Sequence, residues 1–66
     1  MKYKIFKRNV KLGKSIFSPK STIYVKVYED GFYDIAKEID GRRRDIVFHD
    51  AELNALIDLL KEVGVV

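Results

Sequence analysis

Two Asp-Gly pairs, Asp30-Gly31 and Asp40-Gly41, constrain the fold of this chain more than any other feature of its sequence. Such pairs favour the type I′ turn, in which both central residues take positive φ and join two adjacent antiparallel strands. The segments around both pairs are rich in β-branched and aromatic residues, which favour strands. We predict three strands here: Thr22–Glu29, Phe32–Ile39 and Arg42–Phe48. Two hairpins in series make a β-meander.

The N-terminal part of the chain adds one or two strands to this meander. Lys2–Val10 alternates between polar and apolar residues well enough to form a strand, although residues 1–12 are also basic enough to be a mobile arm. Gly13 and the cluster Ser18-Pro19-Lys20-Ser21 mark turns around a short segment, Ser15–Phe17, that would be a fifth strand. We therefore expect four or five strands in the first three quarters of the chain.

After Phe48 the spacing of apolar residues changes from two to about 3.6, which predicts an amphipathic helix of about fourteen residues. Asp50 is placed to cap the N-terminus of this helix, and Gly64 is placed to end it. The apolar stripe of the helix contains Leu53, Leu56, Ile57, Leu60 and Val63. Residues 1–66 are thus predicted to form one α+β domain, an antiparallel meander followed by a C-terminal helix.

A chain of 66 residues without cysteine is expected to need support beyond its own core. A domain of this size buries only about 60% of the surface that its unfolded chain exposes. Disulfides are excluded, and one histidine without cysteine excludes a structural zinc site of the usual kind. We therefore expect a homodimer formed through the helix, whose apolar surface is wide; the alternative is a broad helix face turned to its own sheet. The predicted dimer interface comprises Ala55, Leu56, Leu59, Leu60 and Val63.

The charges of the chain are divided between its two halves. The first 28 residues carry eight Lys or Arg and no acid, whereas all ten acids lie from Glu29 onward. Five aromatic residues lie within the basic half: Tyr3, Phe6, Phe17, Tyr24 and Tyr28. A stretch of like charge is tolerated in a folded protein when it stays solvated or meets a polyanion, so this mixture of cations and rings points to nucleic acid.

One predicted strand shows this mixture on a single face. Alternation sets Tyr24, Lys26 and Tyr28 on one side of the strand and the apolar residues between them on the other, the core side. On such a face cations follow the phosphates of a single strand while bases stack on the rings, at roughly 1–3 kcal/mol each. The alternative is an ordinary solvated face, since Tyr favours strands and Lys discourages edge-to-edge aggregation. The first strand divides less cleanly, with Tyr3 and Ile5 opposite Lys2, Lys4, Phe6 and Arg8.

Three arginines, Arg42, Arg43 and Arg44, follow the second Asp-Gly pair and open the last predicted strand. Guanidinium groups match phosphate geometry and stack on bases, so this hairpin edge is a second candidate contact for nucleic acid. The alternative is ion pairing with nearby acids such as Asp45, and we expect at least one of the three arginines to be structural. The candidate nucleic-acid-binding residues are Lys2, Lys4, Phe6, Arg8, Lys20, Tyr24, Lys26, Tyr28, Arg42, Arg43 and Arg44.

Little in the sequence indicates catalysis, a metal or a membrane. His49 is the only histidine, and beside Asp50 at a strand-to-helix junction it is more typical of a helix cap than of a catalytic dyad. The chain has no Gly-rich phosphate loop, no nucleophile motif and no carboxylates at metal-ligand spacing, so we expect no enzyme activity, no cofactor and no metal. No apolar run approaches the ~18 residues of a membrane span, and no signal-peptide core is visible. We expect a soluble intracellular protein, in the cytoplasm, nucleoid or nucleus.

The segment Gly41–Phe48, with the acidic helix start Asp50–Leu53 and the Leu-rich helix after it, resembles the positive-cofactor-four family of transcriptional coactivators. The resemblance covers Thr22–Val63. It implies a four-stranded antiparallel sheet with a C-terminal helix, dimerisation through the helices, and grooves that bind single-stranded or melted DNA with little sequence preference. Carried over by position, the three arginines and the Tyr-Lys-Tyr face would line the groove. The chain departs from the family in having no Trp, a shorter loop between the last two strands and an extra basic N-terminal segment.

These features together predict a homodimeric protein that binds single-stranded DNA without sequence specificity, acting in transcription, replication or repair. RNA is an alternative ligand, because stacking surfaces accept both sugars. A second reading is a small architectural protein of duplex DNA, resembling compact basic archaeal chromatin proteins; the Tyr rings count against it, because such proteins insert apolar wedges. A third is an interaction module whose basic half docks on an acidic protein partner.

Overall fold

Four strands and one helix follow one another in the computed structural model, which describes residues 2–65. The strands are β1 (Tyr3–Lys11), β2 (Lys20–Tyr28), β3 (Phe32–Ile39) and β4 (Arg42–His49), and the helix is α1 (Asp50–Glu62). Each strand pairs antiparallel with the next, in the order β1-β2-β3-β4. The predicted α+β class, the meander and the C-terminal helix are confirmed.

The connection between β1 and β2 is an ordered loop. Leu12 N donates to Pro19 O at 2.9 Å where the loop closes, and Phe17 N donates to Ser15 Oγ at 3.1 Å within it. Residues 12–18 form turns and bends, because local bonds satisfy backbone groups that a strand would need for a ladder. Of the predicted four or five strands, four are therefore observed, and Ser15–Phe17 is not a strand. The predicted turn cluster extends too far, since Lys20 and Ser21 belong to β2. Of the two alternatives for residues 1–12, the strand is the one observed, as β1.

The two Asp-Gly turns differ in type. Asp40 and Gly41 both have positive φ, 50° and 75°, as the predicted type I′ turn requires. The connection from β2 to β3 has three residues, 29–31, of which only Gly31 has positive φ, 86°. This is the hairpin in which a turn ends on one glycine in the left-handed region, so the predicted type I′ turn is wrong at this position. A Cβ at Gly31 would lie 2.9 Å from Asp50 Oδ2, which ties this turn closely to the start of the helix.

The helix is capped by His49, one residue earlier than predicted. His49 Nδ1 accepts a hydrogen bond from Ala51 N at 3.3 Å, and His49 N donates to Glu52 Oε1 at 2.9 Å. The prediction of Asp50 as the N-cap is therefore wrong, although His49-Asp50 is a capping feature as expected. Asp50 is the first helical residue, where its charge still favours the positive end of the helix dipole.

Gly64 ends the helix as predicted. It has φ of 80°, and its N donates to Lys61 O at 3.1 Å while Val65 N donates to Leu60 O at 2.9 Å. These two bonds are those of the Schellman motif, in which a glycine in the left-handed region lets the chain turn back on the last helical carbonyls.

The registers of the three hairpins divide the sheet into two faces of different character. Residues paired across strands point to the same face, and successive residues point to opposite faces. The tyrosine face consists of Tyr3, Ile5, Lys7, Asn9, Lys11, Lys20, Thr22, Tyr24, Lys26, Tyr28, Phe32, Asp34, Ala36, Glu38, Arg43, Asp45, Val47 and His49. The apolar face consists of Lys4, Phe6, Arg8, Val10, Ser21, Ile23, Val25, Val27, Tyr33, Ile35, Lys37, Ile39, Arg42, Arg44, Ile46 and Phe48.

Both faces of the sheet lie largely open. Among residues 2–65 only Ala36 and Ser21 are buried, at 2% and 3% exposure. The helix packs mainly against β4, and none of its residues, all of which the structure describes, is buried. The chain measures 40 × 33 × 15 Å. The residues predicted to face the core, Ile23, Val25 and Val27, are only half-buried, because β2 is contacted mainly by the strands on either side of it and not by the helix.

Candidate nucleic-acid interface

Tyr3, Tyr28 and Lys26 form a cluster at one end of the tyrosine face. The β1–β2 register pairs Tyr3 directly with Tyr28, and their ring centroids lie 5.4 Å apart at an interplanar angle of 50°. Lys26 Nζ lies 5.3 Å from the centroid of the Tyr3 ring, and two cations, Lys2 and Lys4, and one acid, Glu29, line the same open depression as the two tyrosines. Tyr3 nevertheless keeps 51% of its surface exposed. A ring that is held by its neighbours and still open offers a surface on which a base can stack.

The half of the tyrosine face formed by β1 and β2 carries cations and no acid. Its lysines are Lys7, Lys11, Lys20 and Lys26. Lys11 and Lys20 are directly paired across the two strands, an arrangement in which like charges repel and which a bound anion would relieve. With nine residues in each strand, this surface is about 30 Å long. A polyanion that follows the two strands would meet lysines along the whole of that length.

The half formed by β3 and β4 is electrically different, because Asp34, Glu38 and Asp45 lie on it. Arg43 is bound by Asp45 through two parallel hydrogen bonds, Nε to Oδ1 at 3.0 Å and Nη2 to Oδ2 at 3.1 Å. These bonds hold the pKa of the Asp45 carboxyl below its ordinary value. The guanidinium also lies 4.9 Å from the centroid of the Tyr24 ring, over its face. Arg43 is therefore paired within the protein, and the acids around it disfavour phosphate on this half.

The structure divides the predicted nucleic-acid-binding residues between the two faces. Those on the tyrosine face are Lys20, Tyr24, Lys26, Tyr28 and Arg43. Those on the apolar face are Lys4, Phe6, Arg8, Arg42 and Arg44. Lys2 precedes β1. A single strand lying on one face of a sheet does not reach side chains on the other, so one protomer does not gather these residues into one continuous surface.

Three residues of the tyrosine face, Tyr3, Lys7 and Lys11, were missing from the predicted set. Alternation within β1 separates two sets of residues, but it does not tell which set shares a face with Tyr24. The loop of residues 12–19 leaves the β1–β2 register open, since only the shortest hairpin turns determine a register from sequence. The signal that would have helped is the Tyr3–Tyr28 pair, because aromatic residues favour directly opposed positions on neighbouring strands.

The histidine and the tyrosine nearest the helix start have structural partners. The His49 ring caps the helix and meets the Phe32 ring edge-on, with centroids 5.2 Å apart. The Asp50 carboxylate raises the pKa of the Tyr33 phenol, first by a side-chain hydrogen bond and then by its charge. Within residues 2–65 no three His, Cys, Asp or Glu side chains gather as metal ligands would. The absence of catalysis and of a cofactor stays a prediction.

Comparisons with protein-family models, with curated proteins and with solved structures give no match to this chain. The resemblance to the positive-cofactor-four family therefore stays a prediction. The observed order of four antiparallel strands and a helix is the architecture that this resemblance implies, but an architecture alone does not establish a family or a function. No helix within residues 2–65 has the length and apolarity needed to cross a membrane.

Proposed function

We propose that this protein is an intracellular homodimer that binds single-stranded DNA without sequence specificity, in transcription, replication or repair. The site is the β1–β2 half of the tyrosine face. The observation that carries the proposal is the cluster of Tyr3, Tyr28 and Lys26 on two strands that carry three further lysines and no acid on this face. Phosphates bind along the lysines and release counterions, while bases stack on the exposed Tyr3 ring and the partly exposed Tyr28 ring beside it.

Stacking explains both the preference for single strands and the lack of sequence preference. Every base has a flat face that a tyrosine ring can contact, whereas a duplex hides those faces between its base pairs. The site needs neither a cofactor nor a chemical step. RNA offers the same faces and phosphates, so it is a competing ligand.

The homodimer in this proposal forms through the helix. Leu59 and Val63 are exposed, and Leu56 and Leu60 are only half-buried, so the predicted interface is available in the single chain. A dimer would present two tyrosine faces to one strand, and the second contact would be made at a high effective concentration.

The experiment is a fluorescence-anisotropy titration of a labelled strand of ~20 nucleotides and of the matching duplex, at several salt concentrations. We expect tighter binding of the single strand. If the four lysines of one site each neutralise one phosphate, log Kd rises with log salt with a slope of about 3. Tighter binding of the duplex would replace this proposal with the architectural one. Absence of binding to either at low salt would refute it and leave the basic surface for an acidic protein.

A matched pair of charge variants tests the location of the site. Lys20→Gln removes a cation from the tyrosine face and should lower the salt slope by about 0.7. Lys37→Gln removes one from the apolar face and should leave the slope as it is. Equal changes of the salt slope in the two variants would contradict the assignment of the binding site to the tyrosine face.

A further inference from the structure

The chain exposes more surface than a compact monomer of its size. Its accessible surface is 5637 Å², whereas a compact monomer of 7.7 kDa exposes about 4,300 Å². Its radius of gyration is 13.9 Å, whereas a compact chain of 66 residues has about 11 Å. A single globule made of two such chains would expose about 7,200 Å², so each chain would bury about 2,000 Å² on forming it. That area is in the range of obligate dimers.

Two neighbouring rows of residues run across the strands in the middle of the apolar face. One row has no charged residue, and the other contains cations. The uncharged row runs across all four strands as Phe6, Val25, Ile35 and Ile46. Its two outer members are open, with Phe6 at 58% and Ile46 at 61% exposure. The next row contains Arg8, Lys37 and Arg44, and no acid lies on this face in any of the four strands. An apolar row beside a row of cations is complementary to a packing element that carries both apolar and acidic side chains.

The helix has that character. Leu53, Leu56 and Leu60 lie along one stripe, and the helix carries four acids against one lysine. Its thirteen residues make it about 20 Å long, which exceeds the ~15 Å between β1 and β4. One helix is therefore long enough to cover the uncharged row.

The helix contacts mainly β4, at the edge of the sheet of its own chain, and does not extend over the other three strands. No residue separates β4 from α1, whereas loops that turn a helix back onto its sheet have about 2–6 residues. The junction between β4 and α1 is also fixed by a hydrogen bond to the β2–β3 turn, because Asp50 N donates to Gly31 O at 3.0 Å. The apolar face of the sheet is thus uncovered, and α1 has the apolar and acidic side chains that would suit it. The connection between β4 and α1 is too short for the helix to fold back over that face of its own chain.

We propose that α1 of one protomer lies across the apolar face of a second copy of this chain, and that the partner's helix makes the same contact in return. The leucine stripe packs on the uncharged row, and the acids of the helix lie near the cationic row. The arrangement closes as a two-fold dimer, because each chain gives one helix and receives one. This inference deepens the homodimer of the proposed function and rests on it, but it does not depend on nucleic-acid binding.

The first test compares the mass of two variants in sedimentation equilibrium, without nucleic acid. Ile46 and Val47 are neighbours with similar exposure, 61% and 58%, but they lie on opposite faces. The unmodified chain should have twice 7.7 kDa. Ile46→Glu buries a charge in the dimer and should raise its dissociation constant at least about 100-fold, whereas Val47→Glu should change it less than about threefold. Equal effects of the two substitutions would overturn the proposal.

The second test identifies the contact itself and does not depend on the folding of a charge variant. The chain has no cysteine, so single cysteines can be joined by a short bismaleimide without background. Chains with Val25→Cys are mixed with chains with Leu56→Cys, and the control replaces Val25→Cys with Lys26→Cys on the other face. We expect efficient joining of residues 25 and 56 between chains, and little joining in the control.

The outcomes separate this inference from the proposed function. A dimer in which Leu56→Cys joins only to itself would overturn the helix-on-sheet contact and keep a helix-mediated homodimer. A monomeric mass at high protein concentration would overturn both the helix-on-sheet contact and the homodimer of the proposed function. Since neither test contains nucleic acid, failure of the protein to bind DNA would leave their results unchanged.

Discussion

Replacing Tyr3 with Leu should weaken the binding of single-stranded DNA by about 5- to 150-fold in Kd, because one stacked base is worth about 1–3 kcal/mol. Tyr3 is the sharper choice because it keeps 51% of its surface exposed, whereas Tyr24 is partly buried. Leu keeps an apolar side chain opposite Tyr28, so the pairing of β1 with β2 is preserved.

The size and the salt dependence of the effect follow from the cluster. Lys26 lies over the Tyr3 ring, and in the variant it stays free to bind a phosphate, so the loss should lie nearer to about 10-fold than to the upper limit. The substitution removes no charge. The plots of log Kd against log salt for the two proteins should therefore run parallel, whereas removal of one lysine would change the slope by about 0.7.

The assay is anisotropy of a labelled oligo-dT strand, and two controls make it specific. Tyr3→Phe keeps the ring and should bind as tightly as the unmodified protein. Phe6→Leu removes a ring of similar exposure from the opposite face of the same strand and should change Kd less than about twofold, because no base stacks there. An equal loss in Phe6→Leu, or a changed slope in Tyr3→Leu, would refute stacking on the tyrosine face.

Three further substitutions test the local structure. His49→Ala should lower the free energy of unfolding by about 1 kcal/mol through loss of the helix cap, while His49→Asn should retain it, as measured by urea denaturation. Gly41→Ala should cost about 1 kcal/mol because its φ is 75°, and Gly41→Asn should cost less. Arg43→Ala should raise the pKa of Asp45 toward its ordinary value in a carboxyl NMR titration. Since the folded pKa of Asp45 is depressed, its contribution to stability is present at neutral pH and lost as pH falls through that pKa, and the variant should lose less.

Features set by a few neighbouring residues were predictable from the sequence. The Asp40-Gly41 turn, the β3 bounds and the helix end at Gly64 depend on local backbone preferences, and all three are observed as expected. The N-cap was misplaced by one residue because aspartate is the commoner cap, whereas here an imidazole nitrogen takes the role. The turn type predicted between β2 and β3 is wrong because an Asp-Gly pair occurs in both two-residue and three-residue hairpin loops.

The candidate site was less predictable, because it depends on which residues share a face. Alternation alone separates Arg43 from Arg42 and Arg44, so the division of the three arginines between the two faces is predictable from the sequence. The position of Tyr3 beside Tyr28 was not available. It depends on a register across a loop of eight positions, 12–19, and a shift of one residue would move Tyr3 to the other face.

Ile23, Val25 and Val27 lie on one face of β2, as alternation predicts, but they are not a core, because no element within residues 2–65 packs over them as a second layer. A sheet needs a second layer to bury its apolar face, and a helix joined to β4 without a loop does not supply one to its own sheet. If the second layer is the partner's acidic helix, it lies near Arg8, Lys37 and Arg44 and leaves the lysines of β1 and β2 on the outer, tyrosine face. In that arrangement the acids of the helix lie in the dimer interface, and the lysines that β1 and β2 carry on the tyrosine face meet the polyanion. Dimerisation and nucleic-acid binding would use opposite faces of one sheet, so a substitution on the tyrosine face can abolish binding and leave the dimer intact. A substitution that breaks the dimer would leave each tyrosine face able to bind but remove the gain from the second contact.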